Sequence, residues 1–301
     1  MSTKLEQELK EEGLAEVCAC CGIAAVDDIK LKDCDGGCDL VKYCSDGCQE
    51  NHRDQHNEEC KKQKILFTQP DSSYLGECPL CCLPLSIDMR KSTLMTCCCK
   101  SICLGCDYAN QKREKEAGLE HRCAFCREPK PKSQEESDKR IMKKIKKNDP
   151  VAMTYMGKRN KEGDYGIALE YYTKAVELGD VDAHVGLASM YHNGNGVEKD
   201  EKRAVYHWEQ AAIGGHPQAR AGLAMHEMDN GRFNRAAKHF IIGANLGEDI
   251  LLKPIKDLFV QGIVSKEEYA AALRGHQAAV DATKSAERKK AEEAIKRYGN
   301  Y

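Results

Sequence analysis

Tyr43-Cys44-Ser45-Asp46-Gly47-Cys48-Gln49, followed by His56-x3-Cys60, decides how the first part of this chain folds. Soft ligands in closely spaced pairs are how a short loop-rich segment holds a metal where it has no hydrophobic core. Working outward, the spacing recurs. Cys18-x2-Cys21 and Cys34-x3-Cys38 precede it, while Cys78-x2-Cys81, Cys103-x2-Cys106 and Cys123-x2-Cys126 follow. All 18 cysteines lie between Cys18 and Cys126, and residues 127–301 contain none.

Disulfides are the alternative use of such pairs. Met1-Ser2-Thr3-Lys4-Leu5-Glu6 opens a charged segment without the apolar core of a signal peptide, so the expectation is an intracellular protein, cytoplasmic or nuclear and not secreted. Metal thiolates are therefore expected, with three to four Zn2+ as the cofactor. With 46 basic and 48 acidic residues, gross charge gives no preference for nucleic acid or membrane, and no apolar run approaches the roughly 20 residues of a bilayer span. One Trp and five Phe leave the cysteine-rich half too little apolar volume for a conventional core.

Within residues 18–60 the candidate ligands are Cys18, Cys21, Cys34, Cys38, Cys44, Cys48, His56 and Cys60, enough for two tetrahedral sites. His56 is preferred over His52 because its spacing to Cys60 puts both on one helix face, and Cys20 is read as a bystander. The whole segment closely resembles the MYND zinc finger. The ligand pairs of that family interleave, so the resemblance implies that Cys18, Cys21, Cys44 and Cys48 bind one zinc and Cys34, Cys38, His56 and Cys60 the other. Arg53 stands where many such fingers carry the aromatic residue of their proline-rich peptide groove, so that ligand preference is not carried over.

The second cysteine segment reads Cys78-Pro79-Leu80-Cys81, then Cys97-Cys98-Cys99-Lys100-Ser101-Ile102-Cys103-Leu104-Gly105-Cys106, then Cys123-Ala124-Phe125-Cys126-Arg127. It resembles a RING finger. The cross-braced pattern of that family implies one zinc on Cys78, Cys81, Cys103 and Cys106, and a second that uses Cys123 and Cys126. Lys100 replaces the usual central His, so two of Cys97, Cys98 and Cys99 must complete the second site. Adjacent cysteines share a metal only across a backbone kink, which favours Cys97 with Cys99 or Cys98 with Cys99. Cys98, Cys99, Cys123 and Cys126 form the expected set. Cys82 and His121 are not expected to bind metal.

The remaining residues organise around these modules. Residues 1–17 read as a helical lead, 61–77 as a short tether containing Pro70-Asp71-Ser72-Ser73, and 128–148 as a charged linker. The basic run Lys139–Lys147 places Ile141 and Ile145 on one helix face, which argues for a helix packed on the next domain over a nucleic-acid contact.

Residues 149–280 repeat. Ala168, Ala204 and Ala236 form one series and Ala152, Ala183 and Ala219 another, offset by a single longer loop at 193–200. Each unit predicts two helices and a glycine stop, at Gly179, Gly215 or Gly247, with Tyr172, Trp208 and Phe240 among the residues filling the gaps. Ser265-Lys266-Glu267-Glu268 is a capping box inside a fourth, divergent unit. Residues 183–215, with Leu187-Ala188-Ser189-Met190-Tyr191 and Gly194-Asn195-Gly196-Val197, resemble the SEL-like repeat, a relative of the tetratricopeptide repeat. The resemblance implies an all-α right-handed helical-repeat solenoid with a surface for protein partners. The expected fold is thus two small zinc-stabilised modules, residues 18–60 and 78–127, followed by that solenoid. Residues 281–301 are expected to be a charged helical tail that frays, and the seven histidines from His184 to His276 ordinary packing or surface residues, His216 being dispensable.

No nucleophile and base, phosphate-cradling loop or paired carboxylates mark a catalytic pocket. Two functions remain: a zinc-binding adaptor whose solenoid and MYND finger dock proteins or peptides, and a RING-type ubiquitin ligase. For the second, Leu80 and Arg127 occupy the positions that contact the ubiquitin-conjugating enzyme and ubiquitin in active RING fingers. Lys100 and Ala124 depart from that pattern, and the adaptor is the favoured reading.

Overall fold

A computed structural model describes residues 18–23, 25, 30–35, 41–160 and 163–298, in two units that divide after Thr68. The expected helical lead at 1–17 lies outside the described residues.

In the first unit, β1 (Lys32–Asp33) pairs antiparallel with β2 (Lys42–Tyr43), and Cys18 bridges to Lys42. The chain then enters α1 (Asp46–Leu66), where the Ser45 hydroxyl accepts from the Cys48 backbone N–H at 3.2 Å and so caps the helix that carries His56 and Cys60. Cys18, Cys34 and Tyr43 form the buried centre. A core of two sulfurs and one ring is too small to hold the unit without metal.

The second unit opens with a hairpin of β3 (Ser92–Met95) and β4 (Lys100–Cys103), in which Met95 pairs with Lys100, and α2 (Leu104–Glu116) follows at once. Cys78, Leu85, Met95, Ile102, Cys103 and Cys123 are its buried core. Next, α3 (Gln134–Ile145), capped by Ser133, buries Ile141 completely against Cys99 and Ala152. The paired isoleucines do pack on the following domain, as their spacing predicts.

Four helix pairs come next: α4 (Pro150–Asn160) with α5 (Tyr165–Glu177), α6 (Val181–Asn193) with α7 (Glu201–Ile213), α8 (Pro217–Asp229) with α9 (Phe233–Asn245), and α10 (Leu252–Val260) with α11 (Lys266–Ala282). Each packs on its neighbours, and α9 meets both α10 and α11. Asp164, Asp180 and Asp200 cap α5, α6 and α7 by accepting from the backbone N–H three residues on, and Pro150 and Pro217 start α4 and α8. The alanines of both repeat series are fully buried. The helices approach closely around Tyr172, whose ring lies between Gly157 of α4 and Gly186 of α6; a Cβ at either glycine would stand 2.6 Å from it. The capping box at Ser265 and Glu268 forms. This is a helical-repeat solenoid.

Three expectations fail. Residues 69–77 do not hang as a tether: Tyr74 stacks on His216, its N–H donates to the Gly215 carbonyl at 3.2 Å, and Asn245 donates to the Gln69 side chain. A single aromatic in a turn-rich stretch supplies the buried surface that composition alone does not reveal. His216 is accordingly 2% exposed, which argues against the expectation that it is dispensable. Residues 286–298 do not fray but form α12 (Ala286–Tyr298), which packs on α2 with Arg288, Ala291 and Ala294 buried at three-residue spacing on one face. Among the described residues, no helix is long and apolar enough to cross a membrane.

Candidate metal centres

Four groups of metal-binding side chains converge, each with all its ligand atoms within 4.8 Å of one another: Cys18, Cys21, Cys44 and Cys48; Cys34, His56 and Cys60; Cys78, Cys81, Cys103 and Cys106; and Cys97, Cys98, Cys123 and Cys126. Cys38, expected as the fourth ligand of the second group, lies outside the described residues.

The sulfur separations fit zinc. Cys21 and Cys44 stand 3.5 Å apart, Cys34 and Cys60 3.7 Å, Cys81 and Cys103 3.7 Å, and Cys98 and Cys123 3.9 Å. A tetrahedron with Zn–S bonds of about 2.3 Å has edges of about 3.8 Å. Every described cysteine is free, so the alternative of a disulfide framework is not realised among them. Backbone N–H groups also point at the sulfurs, from Cys103 to Cys78 and from Cys126 to Cys123, each at 3.5 Å.

His52 and His56 separate as their helix positions predict. His52 is held by the Tyr43 hydroxyl at 2.9 Å, while His56 joins the cluster, and its burial, then the neighbouring His52, keep its pKa below the usual imidazole value. A neutral imidazole is the metal-binding form.

The fourth cluster corrects the expected set. Cys97 replaces Cys99, with its sulfur 3.3 Å from that of Cys126. Cys98 and Cys99 both donate their N–H to the Met95 carbonyl, and Cys99 takes φ 53° as the chain reverses into β4. That reversal turns the Cys99 side chain to Ile141 and Ala152, where burial and then Asp149 push its thiol up to about 12. Cys99 is a core thiol. Cys20 and Cys82 are exposed, and His121 joins no cluster, lying 3.6 Å from Glu114.

Residues 18–60 match the family model of the MYND finger, and residues 150–180 and 181–216 match that of the Sel1 repeat. The chain joins a MYND finger to Sel1 repeats. MYND fingers bind zinc, both module types mediate protein–protein interactions, and the cysteine clusters at 78–126 fit a further RING-like module. Among solved structures, a Sel1 repeat protein from Oxalobacter formigenes is 22% identical, with a TM-score of 0.43, over 57% of this chain and 51% of its own. A protective antigen of uropathogenic Escherichia coli with an SLR fold is 24% identical, with a TM-score of 0.41, over 50% of this chain and 34% of its own. The chain thus spans about half and a third of those two proteins. No curated protein matches.

Beside the zinc clusters of the RING-like module, Leu80, Cys106, Ala109, Arg113, Ala124 and Arg127 line an open groove of about 540 Å³. Leu80 is 41% exposed there. Arg127, at φ 64°, donates to Asn110 Oδ1 at 2.7 Å and to Glu114 Oε1 at 3.1 Å. Glu114 is fully buried; burial raises its pKa, but the Arg122 N–H, Asn110 and Arg127 outweigh that and hold it below the usual range.

Sequence reasoning missed Arg288. Its guanidinium reaches Cys81 Sγ at 3.5 Å across a sequence separation of 207. Burial raises the Cys81 pKa, yet the Leu83 N–H, Arg288 and Cys103 bring it down to about 7.

Proposed function

We propose that this protein is a multivalent adaptor: the MYND finger and the Sel1 solenoid each dock a protein segment, and the RING-like module is carried on the solenoid as part of one body. The observation that carries this reading is the pairing of two interaction modules in one chain. The anchoring of the RING-like module supports it further: Tyr74, Ile141 and Arg288, from three separate segments, tie that module to the helices around it. A partner held by the solenoid would meet the RING-like groove at a fixed orientation, and two linked sites raise avidity without new contacts.

Selection of displayed peptides against the zinc-loaded chain tests this. Two non-competing classes are expected, one lost on chelation with the MYND finger and one retained by the solenoid. A single class, or none, would contradict the adaptor.

A ubiquitin ligase is the second reading, supported by the exposed Leu80 and by Arg127 sharing one groove. Such an enzyme does no chemistry itself and works by holding the charged conjugating enzyme and ubiquitin in a reactive arrangement. Ubiquitin transfer by wild type that is lost in Leu80→Ala at unchanged zinc content would establish it.

A further inference from the structure

We propose that Arg288 is a positioning residue for the zinc site of Cys78, Cys81, Cys103 and Cys106, so that the C-terminal helix and the metal hold each other in place. The inference is independent of which proteins the solenoid binds.

Arg288 leaves α12 as a charged side chain only 8% exposed. Its Nη2 donates to Cys81 Sγ at 3.5 Å and to the Leu83 carbonyl at 3.2 Å, and its Nη1 donates to the Pro84 and Thr283 carbonyls, each at 2.7 Å. Cys81, Leu83 and Pro84 belong to the turn that carries the first ligand pair. The planar fork of an arginine can satisfy several acceptors at once where a lysine cannot.

The backbone of the same residue touches the second pair. Gly105 lies between Cys103 and Cys106, and a Cβ there would stand 2.7 Å from the Arg288 nitrogen and 2.9 Å from its Cα. Any side chain at 105 would lift α12 away. One residue of the C-terminal helix therefore contacts both halves of the ligand set, and its docking surface exists only while the two halves are drawn together.

Charge gives the contact its sign. Four thiolates around Zn2+ carry a net charge of about −2, and a buried guanidinium in hydrogen-bond contact offsets part of it. Partners of metal ligands fix ligand orientation, and their loss typically costs about 10–100-fold in metal affinity. Linkage makes the effect reciprocal, so zinc at this site stabilises the docked helix by as much as the helix stabilises zinc.

The test uses the full-length zinc-loaded chain, with zinc release followed by a chromogenic chelator. Arg288→Met keeps the apolar stem and removes the fork; one zinc per chain should then leave about 10–100-fold faster while the others keep their wild-type rates. Arg288→Lys should recover part of the loss, because it returns a cation beside Cys81. Ala291→Asp buries a charge in the α2–α12 contact without touching a ligand, and should release the same zinc faster. Conversely, Cys78→Ser should raise hydrogen exchange over 286–298. Release from Arg288→Met at wild-type rates, a lysine variant no better than methionine, or unchanged protection of 286–298 in Cys78→Ser would each overturn the proposal.

Discussion

Tyr74 lies flat on His216, ring centroids 3.9 Å apart and planes within 19°, so that a residue four positions before the first RING-like ligand is seated on the solenoid. His216 in turn faces Asp182 through Nε2 at 3.3 Å. Tyr74→Ala should lower the stability of the zinc-loaded chain by about 2–3 kcal/mol, at or below the cost of truncating a fully buried aromatic because the ring is only half-buried. His216→Ala should also destabilise, and chemical denaturation measures both. Wild-type midpoints would mean that residues 69–77 contribute nothing to holding the two parts together.

Trp208 is 8% exposed and is met by Gly222 of the next helix, where a Cβ would stand 2.5 Å from the indole. Trp208→Ala should cost about 3–5 kcal/mol by cavity formation. Gly222→Ala should also destabilise, by overpacking. An unchanged melting temperature in the first variant would move the indole out of the core.

Acid should weaken the solenoid through its buried and half-buried histidines. His184 and His207 meet through their Nδ1 atoms at 2.9 Å; burial lowers both pKa values, and His207, further lowered by His184 and Arg203, falls from 6.5 to about 4. Burial, then Arg220 and Arg235, hold His239 well below 6.5. Each ring takes its proton in the unfolded chain first, so stability is full above pH 6.5 and is lost as pH falls below it. For His207 the loss at pH 5 should be about 1–2 kcal/mol, after allowing for screening of a half-buried ring. His207→Gln should therefore show a shallower fall in unfolding free energy from pH 7 to pH 5 than wild type; an equal fall would place the proton uptake elsewhere.

Leu80→Ala is a cleaner probe of the RING-like groove than Arg127→Ala. Removing Arg127 takes a charge partner from Glu114, which is fully buried, whereas Leu80 is partly open to solvent. Leu80→Ala should keep the wild-type zinc content and melting temperature, while Arg127→Ala should lower the melting temperature. A stable Arg127→Ala would show that the Arg122 N–H and Asn110 suffice for Glu114.

The repeat was legible because its signals are local and periodic: buried alanines one repeat apart, and Asp180 or Asp200 three residues before the N–H it caps. Most members of the candidate metal clusters were legible for the same reason, since a Cys-x2-Cys or Cys-x3-Cys pair states its own geometry. The choice among Cys97, Cys98 and Cys99 was not, because the direction of three consecutive side chains depends on a left-handed residue that spacing does not encode. Tyr74 and Arg288 were invisible for another reason. Each acts across more than a hundred residues, on His216 and Cys81, from a segment whose composition reads as linker or tail.

Zinc counting by native mass spectrometry of the full-length chain, alongside Cys97→Ser and Cys99→Ser, tests most directly the claim that four metal sites build the cysteine-rich half. Four zinc ions are expected for wild type and for Cys99→Ser, and a fourth ion that is weakened or lost in Cys97→Ser. Two or fewer ions in wild type, or a loss confined to Cys99→Ser, would contradict it.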